Sequence, residues 1–154
     1  MSYDIRIRDL PERATGVVRG DVTVDAIPAF LGPAFEAVAL AATDQGVEIA
    51  GVPFGRFLPL PDGRWYIEAG FPLERALVET GRVEPSTLPA GPCACTVHAG
   101  GYDTVESAYV ALTQWITEHG YMTMGEPWEC YLDAPDVERP RTEVFMPVVR
   151  PDSN

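Results

Sequence analysis

The chain is written twice. Residues 46–58 lie on residues 120–132 at a constant offset of 74. Gly46 falls on Gly120, Gly51 on Gly125, Pro53 on Pro127, Phe54 on Trp128, Phe57 on Tyr131 and Leu58 on Leu132. A repeat of this kind means two copies of one supersecondary unit, and that restricts the whole architecture. The copies also differ in one informative way. Gly55 stands in the first where Glu129 stands in the second. A carboxylate in only one half of a symmetric frame marks the first place to look for function.

Residue patterns give the elements of each copy. Ile5 and Ile7 alternate with Arg6 and Arg8, so Tyr3 to Leu10 reads as a strand ended by Pro11. Ala14 to Arg19 reads as a second short strand. A helix is expected within Asp25 to Gln45, with Phe35, Val38 and Ala42 on one face and Gly46 as its stop. Pro28 and Pro33 leave its start undefined, because proline suits only a first turn. Val52 to Leu58 and Arg64 to Phe71 read as paired strands around the Asp62-Gly63 turn. Residues 74–89 carry no clear period, although Val83 to Leu88 suits a further strand.

The second copy opens with a strand at Cys93 to His98. Asp103 and Glu106 have capping-box spacing, and they start a helix that runs to His119 and stops at Gly120. Its apolar stripe is Val105, Tyr109, Leu112 and Ile116. Trp128 to Leu132 and Arg141 to Val149 are its last strands. Each copy is thus strand–helix–strand–strand. The expected class is α+β: two pseudo-twofold-related βαββ units on a mainly antiparallel sheet, with a groove between the copies as the ligand site. The organisation is one domain over residues 1–154, with copy one at about 3–75, a linker at about 76–89 and copy two at about 90–149.

Composition narrows the functional classes. The 154 residues carry 11 basic and 23 acidic side chains, a formal charge of −12. That argues against direct nucleic-acid binding, which needs clustered Lys and Arg. An acidic surface suits cations or a basic protein partner, and it also serves solubility alone. No apolar run reads as a membrane span and no basic-then-apolar leader opens the chain, so a cytoplasmic location is expected. Cys93, Cys95 and Cys130 read as buried free thiols. With only two histidines and no second Cys pair, no metal or other cofactor is expected. His98 ends a strand and His119 ends a helix, and neither converges by spacing on a Ser or Asp.

The order and spacing of several motifs carry a resemblance. They are Pro89-Ala90-Gly91-Pro92, His98-Ala99-Gly100-Gly101-Tyr102, the run Gly125-Glu126-Pro127-Trp128-Glu129-Cys130-Tyr131-Leu132-Asp133-Ala134-Pro135, Arg141-Thr142-Glu143 and Met146-Pro147-Val148. Together they resemble the GyrI-like effector-binding family over about residues 3–149, more specifically in the second half. The domain also occurs attached to multidrug-responsive regulators of the MerR and AraC types. The resemblance implies two βαββ units with a ligand cavity, and recognition of bulky, often cationic, aromatic molecules. It further implies a pocket glutamate, which maps to Glu129, with Tyr131 two residues on. Some stand-alone members of the family resemble hydrolases that open strained cyclopropane rings of DNA-alkylating compounds, and others inhibit DNA gyrase. No helix-turn-helix segment precedes the first strand, so a separate regulator or a topoisomerase is a conceivable protein partner.

The residues themselves support a site reading. Glu129 and Tyr131 are two apart on a strand and share a face. Trp128, Cys130 and Leu132 take the other face, whose apolarity suits cover by a helix; Glu129 and Tyr131 are then expected to face the groove. Gly55 and Phe57 hold the matching places in the first copy. Burial raises the pKa of a lone carboxylate among aromatics, and a cation restores its charge. The same arrangement suits general acid–base chemistry, with Glu129 and Tyr131 as the catalytic pair. Glu129 as a solvated strand carboxylate is the alternative. Tyr66 and Glu68 share a face opposite Trp65, Ile67 and Phe71. They join Tyr102, Trp115 and Phe35 as further ligand-contact candidates, for which core packing is the competing explanation.

Overall fold

The protein is described by a computed structural model covering residues 3–101, 104–134 and 136–151. In chain order the elements are β1 (Arg6–Leu10), β2 (Arg13–Val22), a 3-10 turn (Val24–Ala26), α1 (Ile27–Gln45), β3 (Phe54–Pro59), β4 (Trp65–Pro72), β5 (Glu84–Leu88), β6 (Gly91–Ala99), α2 (Glu106–Glu118), β7 (Met122–Thr123), β8 (Trp128–Tyr131) and β9 (Arg141–Val149). The class is α+β with antiparallel strand pairing, as the repeat and the periodicities predict. Two compact units form, Glu12–Pro89 and Met1–Pro11 with Ala90–Asn154.

In the unit Glu12–Pro89 the strand order is β5-β2-β4-β3. Helix α1 packs on one face. Ala34, Val38, Ala41 and Ala42 meet Val18, Ile67, Ala69 and Leu73 in one cluster. Their spacing of four, three and one residues keeps them on one side of a 3.6-residue helix. Pro28 sits in the first turn, where its missing N–H costs nothing, whereas Pro33 lies inside the helix. Gly46 ends α1 in the left-handed region, with φ 67°, and its N–H meets the Ala42 and Thr43 carbonyls. The equivalent Gly120 follows α2 with φ 79°. The copies therefore share a stop that only glycine adopts at little cost. The unpatterned stretch between the copies is also structural. Leu77, Val83 and Leu88 are buried, and β5 pairs with β2.

The other unit repeats the order as β1-β6-β9-β8, with β7 added on β9. The outer strand comes from a different place. In Glu12–Pro89 it is β5, which follows β4; here it is β1, from the start of the chain, paired Arg6 to Cys95 through Leu10 to Gly91. Helix α2 lays Ala108, Leu112 and Ile116 on Ala94, Val144 and Val148. The expected capping box rests on Asp103, which lies outside the described residues. The N-cap is Val105, without a side-chain cap. The Thr104 hydroxyl donates to the Gly101 carbonyl, and Ser107 to the carbonyl of Thr104. β7 escapes periodicity analysis because two residues have no period.

One expectation about apolar length needs correction. The 22 residues Val24–Gln45 are long and apolar enough to cross a membrane by length and composition alone. Their buried face, however, is the α1 face packed on β2 and β4. All three cysteines are buried, and burial pushes the Cys95 thiol up from its ordinary value.

Candidate functional site: a carboxylate held by two phenols

Strand β8 is short and both of its faces are shielded. Trp128 and Cys130 are buried on one face; Trp128 is stacked at 5.4 Å on Phe145. Glu129 and Tyr131 share the other, as their spacing requires. That face is the one α2 covers, because Glu129 pairs with Val144, a residue of the α2 cluster. The expectation that α2 covers the Trp128 side is therefore overturned. The apolarity of Trp128 and Cys130 shows that their face is buried, but not which of two buried faces the helix lies on.

Under α2 the carboxylate meets two hydroxyls. Tyr109, from the helix, donates to Glu129 Oε2 at 2.5 Å. Tyr131 donates to Oε1 at 3.1 Å. Each carboxylate oxygen thus has its own phenol. Burial pushes the Glu129 pKa up, and the two phenol hydrogen bonds oppose that shift in part. Burial and the neighbouring carboxylate push the Tyr109 phenol strongly up, so it remains a donor at ordinary pH. Sequence reading placed Tyr109 in the core stripe and missed this role. The signal was available in the repeat itself. At the same offset of 74, Phe35 corresponds to Tyr109, Phe57 to Tyr131 and Gly55 to Glu129. The copy that gains a carboxylate also gains the two hydroxyls that hold it.

In the other copy the equivalent set is apolar. Gly55 pairs with Ala69 and Phe57 with Ile67, on the α1 face of β4. Phe35 packs edge-on against Phe71, with ring centres 5.8 Å apart, and Phe57 edge-on against Trp65 at 6.4 Å. Gly55 is buried, and its φ is not positive.

The remaining candidates go elsewhere. Tyr66 and Glu68 share the face of β4 away from α1, but Glu68 is engaged. It takes hydrogen bonds from Arg19 Nε at 2.9 Å and from the Tyr66 hydroxyl at 3.3 Å. Arg19 also reaches Glu84 at 2.7 Å. Arg19→Met leaves the largely buried Glu68 with Tyr66 alone. It is expected to destabilise by about 1–3 kcal/mol in urea unfolding, with Arg19→Lys recovering part of the loss. Trp115 stacks on His119 at 3.9 Å and on Tyr121 at 6.2 Å, and neither contact involves Glu129. Tyr102 lies outside the described residues. His98 is buried and bound to Tyr3 and Thr104.

Two α+β units of repeated strand order, each with one helix on its sheet, define the class of fold. The sequence matches the GyrI-like small molecule binding domain family over residues 3–149, and the chain belongs to that family. No curated protein matches it in sequence. Among solved structures it resembles the EcmrR C-terminal domain, with a TM-score of 0.82 at 20% identity, over 97% of this chain and 99% of that one. It also resembles a hydrolase from Listeria innocua, with a TM-score of 0.66 at 14% identity, over 94% and 91% of the two chains. A third likeness is to SAV2435 bound to tetraphenylphosphonium, with a TM-score of 0.64 at 17% identity, over 97% and 94%. At these identities the likeness is one of fold.

Proposed function

We propose that the domain binds bulky aromatic cations at Glu129. The observation that carries this reading is the sheltered carboxylate with one phenol on each oxygen. An empty site of this kind favours the protonated acid, because burial disfavours its charge. A ligand cation reverses the preference by supplying the missing partner. Tyr109 and Tyr131, bonded to the carboxylate, bring aromatic rings of the kind that attract cations, at about 0.5–2 kcal/mol per contact. The tetraphenylphosphonium bound by SAV2435 is a ligand of this chemistry, and that supports the choice of probe.

Titration with tetraphenylphosphonium, followed by calorimetry, tests the proposal. Saturable one-site binding is expected. Tyr109→Phe is expected to weaken it by about two- to tenfold, because the carboxylate loses a donor that favours its charged form. Wild-type protein that releases no heat and shows no thermal shift with the probe would end this reading.

A second reading shares the geometry. A carboxyl whose proton affinity is raised, beside two phenol donors, is suited to general acid–base work. Glu129 would activate water against a strained electrophile while Tyr131 hydrogen-bonds the leaving oxygen. The Listeria innocua structure described as a hydrolase favours keeping this reading. Ring opening of a cyclopropane-bearing alkylating compound, followed by mass spectrometry, decides it; a rate equal to buffer with folded protein counts against it.

A further inference from the structure

Helix α2 is strapped on both flanks. On one side Tyr109 holds Glu129. Ser107, two residues earlier, points about 200° away around the helix. Its Oγ lies 2.5 Å from the hydroxyl of Tyr3, in the segment leading into β1. The same Tyr3 hydroxyl lies 3.0 Å from His98 Nδ1. His98 Nε2 faces the Thr104 hydroxyl at 2.9 Å and the Gly101 carbonyl at 3.3 Å. The segment is held further by Thr96, which donates to the Asp4 carbonyl at 2.8 Å, and by Ile5 and Ile7 in the α2 cluster. Because the N-cap Val105 gives no side-chain cap, the start of α2 depends on these tertiary contacts.

We infer that α2 couples the carboxylate site to the N-terminal segment, with Tyr109 and Ser107 as its two handles. The ligand part of this inference rests on the reading that Glu129 receives a cation. A cation seated beside the carboxylate holds Glu129 in its charged form, and the anion pulls harder on the Tyr109 hydroxyl. The first turns of α2 then shift toward Glu129, and the Tyr3–Ser107 contact opens. Linkage is reciprocal: whatever opens the clasp in advance favours the ligand.

Three measurements test the coupling. With tetraphenylphosphonium at saturation, amides within Ile5–Leu10 are expected to exchange faster with deuterium. Tyr3→Phe, which removes the clasp hydroxyl, is expected to tighten tetraphenylphosphonium binding by roughly two- to thirtyfold, the range of energies found for such coupled sites. Unchanged or weakened affinity overturns the inference. A third measurement needs no ligand. Tyr3→Phe and Tyr109→Phe remove hydroxyls on opposite flanks of α2, and independent sites add. Their joint effect on the unfolding equilibrium constant is expected to depart from the product of the single effects by at least about twofold. Multiplicative effects overturn the coupling whether or not the cation binds. Absent binding with a non-multiplicative cycle defeats the ligand reading and leaves the coupling standing.

Discussion

Glu129→Gln is expected to raise the melting temperature and to abolish cation binding together. At neutral pH the buried carboxylate costs folding free energy that glutamine does not. Its amide is also able to hydrogen-bond both phenols, accepting from Tyr109 and donating to Tyr131, or the reverse. Relief at a strained functional group is commonly worth about 0.5–2 kcal/mol. For a domain of this size that amounts to a melting shift of about 2–4 °C per kcal/mol. Affinity for tetraphenylphosphonium is expected to fall by at least about tenfold, since a sheltered charge partner is lost. The pH dependence follows from the raised Glu129 pKa, whose ordinary value is 4.5. The folded protein holds this proton at pH values where the unfolded chain has released it. Stability from this group is therefore greatest below about pH 4.5 and falls as pH rises to the folded pKa, after which it stays level. Cation affinity moves the opposite way, rising over the same window. The exposed Asp62 and the partly exposed Asp133 have pKa values lowered by Arg64 and Arg141, and they contribute with the reverse sign. Thermal melts of wild type and Glu129→Gln from pH 4 to pH 8 separate the two contributions. A variant that melts lower than wild type at pH 7 would show that the carboxylate stabilises the fold.

Gly70→Ala is expected to have the largest effect on stability. Gly70 lies on β4 opposite Val17 of β2. A Cβ there would overlap the carbonyl oxygen of Gly16 and touch the Val17 Cα. Both obstacles are backbone and cannot rotate away. The two central strands of the unit must part, or the ladder must bulge. Overpacking of this kind costs about 3 kcal/mol or more, near the upper end for a single methyl. Chemical denaturation of Gly70→Ala checks the cost. A loss below about 1 kcal/mol would mean that the strands yield more easily than their register suggests.

The repeat made the larger part of the fold legible. The offset of 74 relates β3 to β8, α1 to α2 and Gly46 to Gly120, and each pair is observed. β5 was less clear, because Pro85, Ser86 and Thr87 give no alternation although Leu88 is buried. Parity placed Glu129 beside Tyr131 and Tyr66 beside Glu68. It does not tell which of two covered faces a helix occupies, and that is why the position of α2 relative to Glu129 was misread. The Arg19 bridge to Glu68 and Glu84 joins three strands across gaps of 49 and 65 residues. Local periodicity does not reach that far. Tyr109 was hidden for a different reason: at stripe spacing, a phenol and a phenyl give the same signal, and only the carboxylate beneath reveals the hydroxyl.

The origin of β1 bears on how the chain is made. Arg6 and Cys95 are 89 positions apart, yet Cys95 gives its thiol hydrogen to the Arg6 carbonyl. Residues 12–89 emerge between them and already contain a complete four-stranded unit with its helix. That unit can close during synthesis, while β1 waits unpaired for β6 to appear. Its alternating arginines, Arg6 and Arg8, stay exposed, and such charges discourage an idle strand from pairing with a stranger. A fragment beginning at Ala90 would lack its outer strand, and a synthetic peptide of Tyr3–Leu10 should restore it in trans.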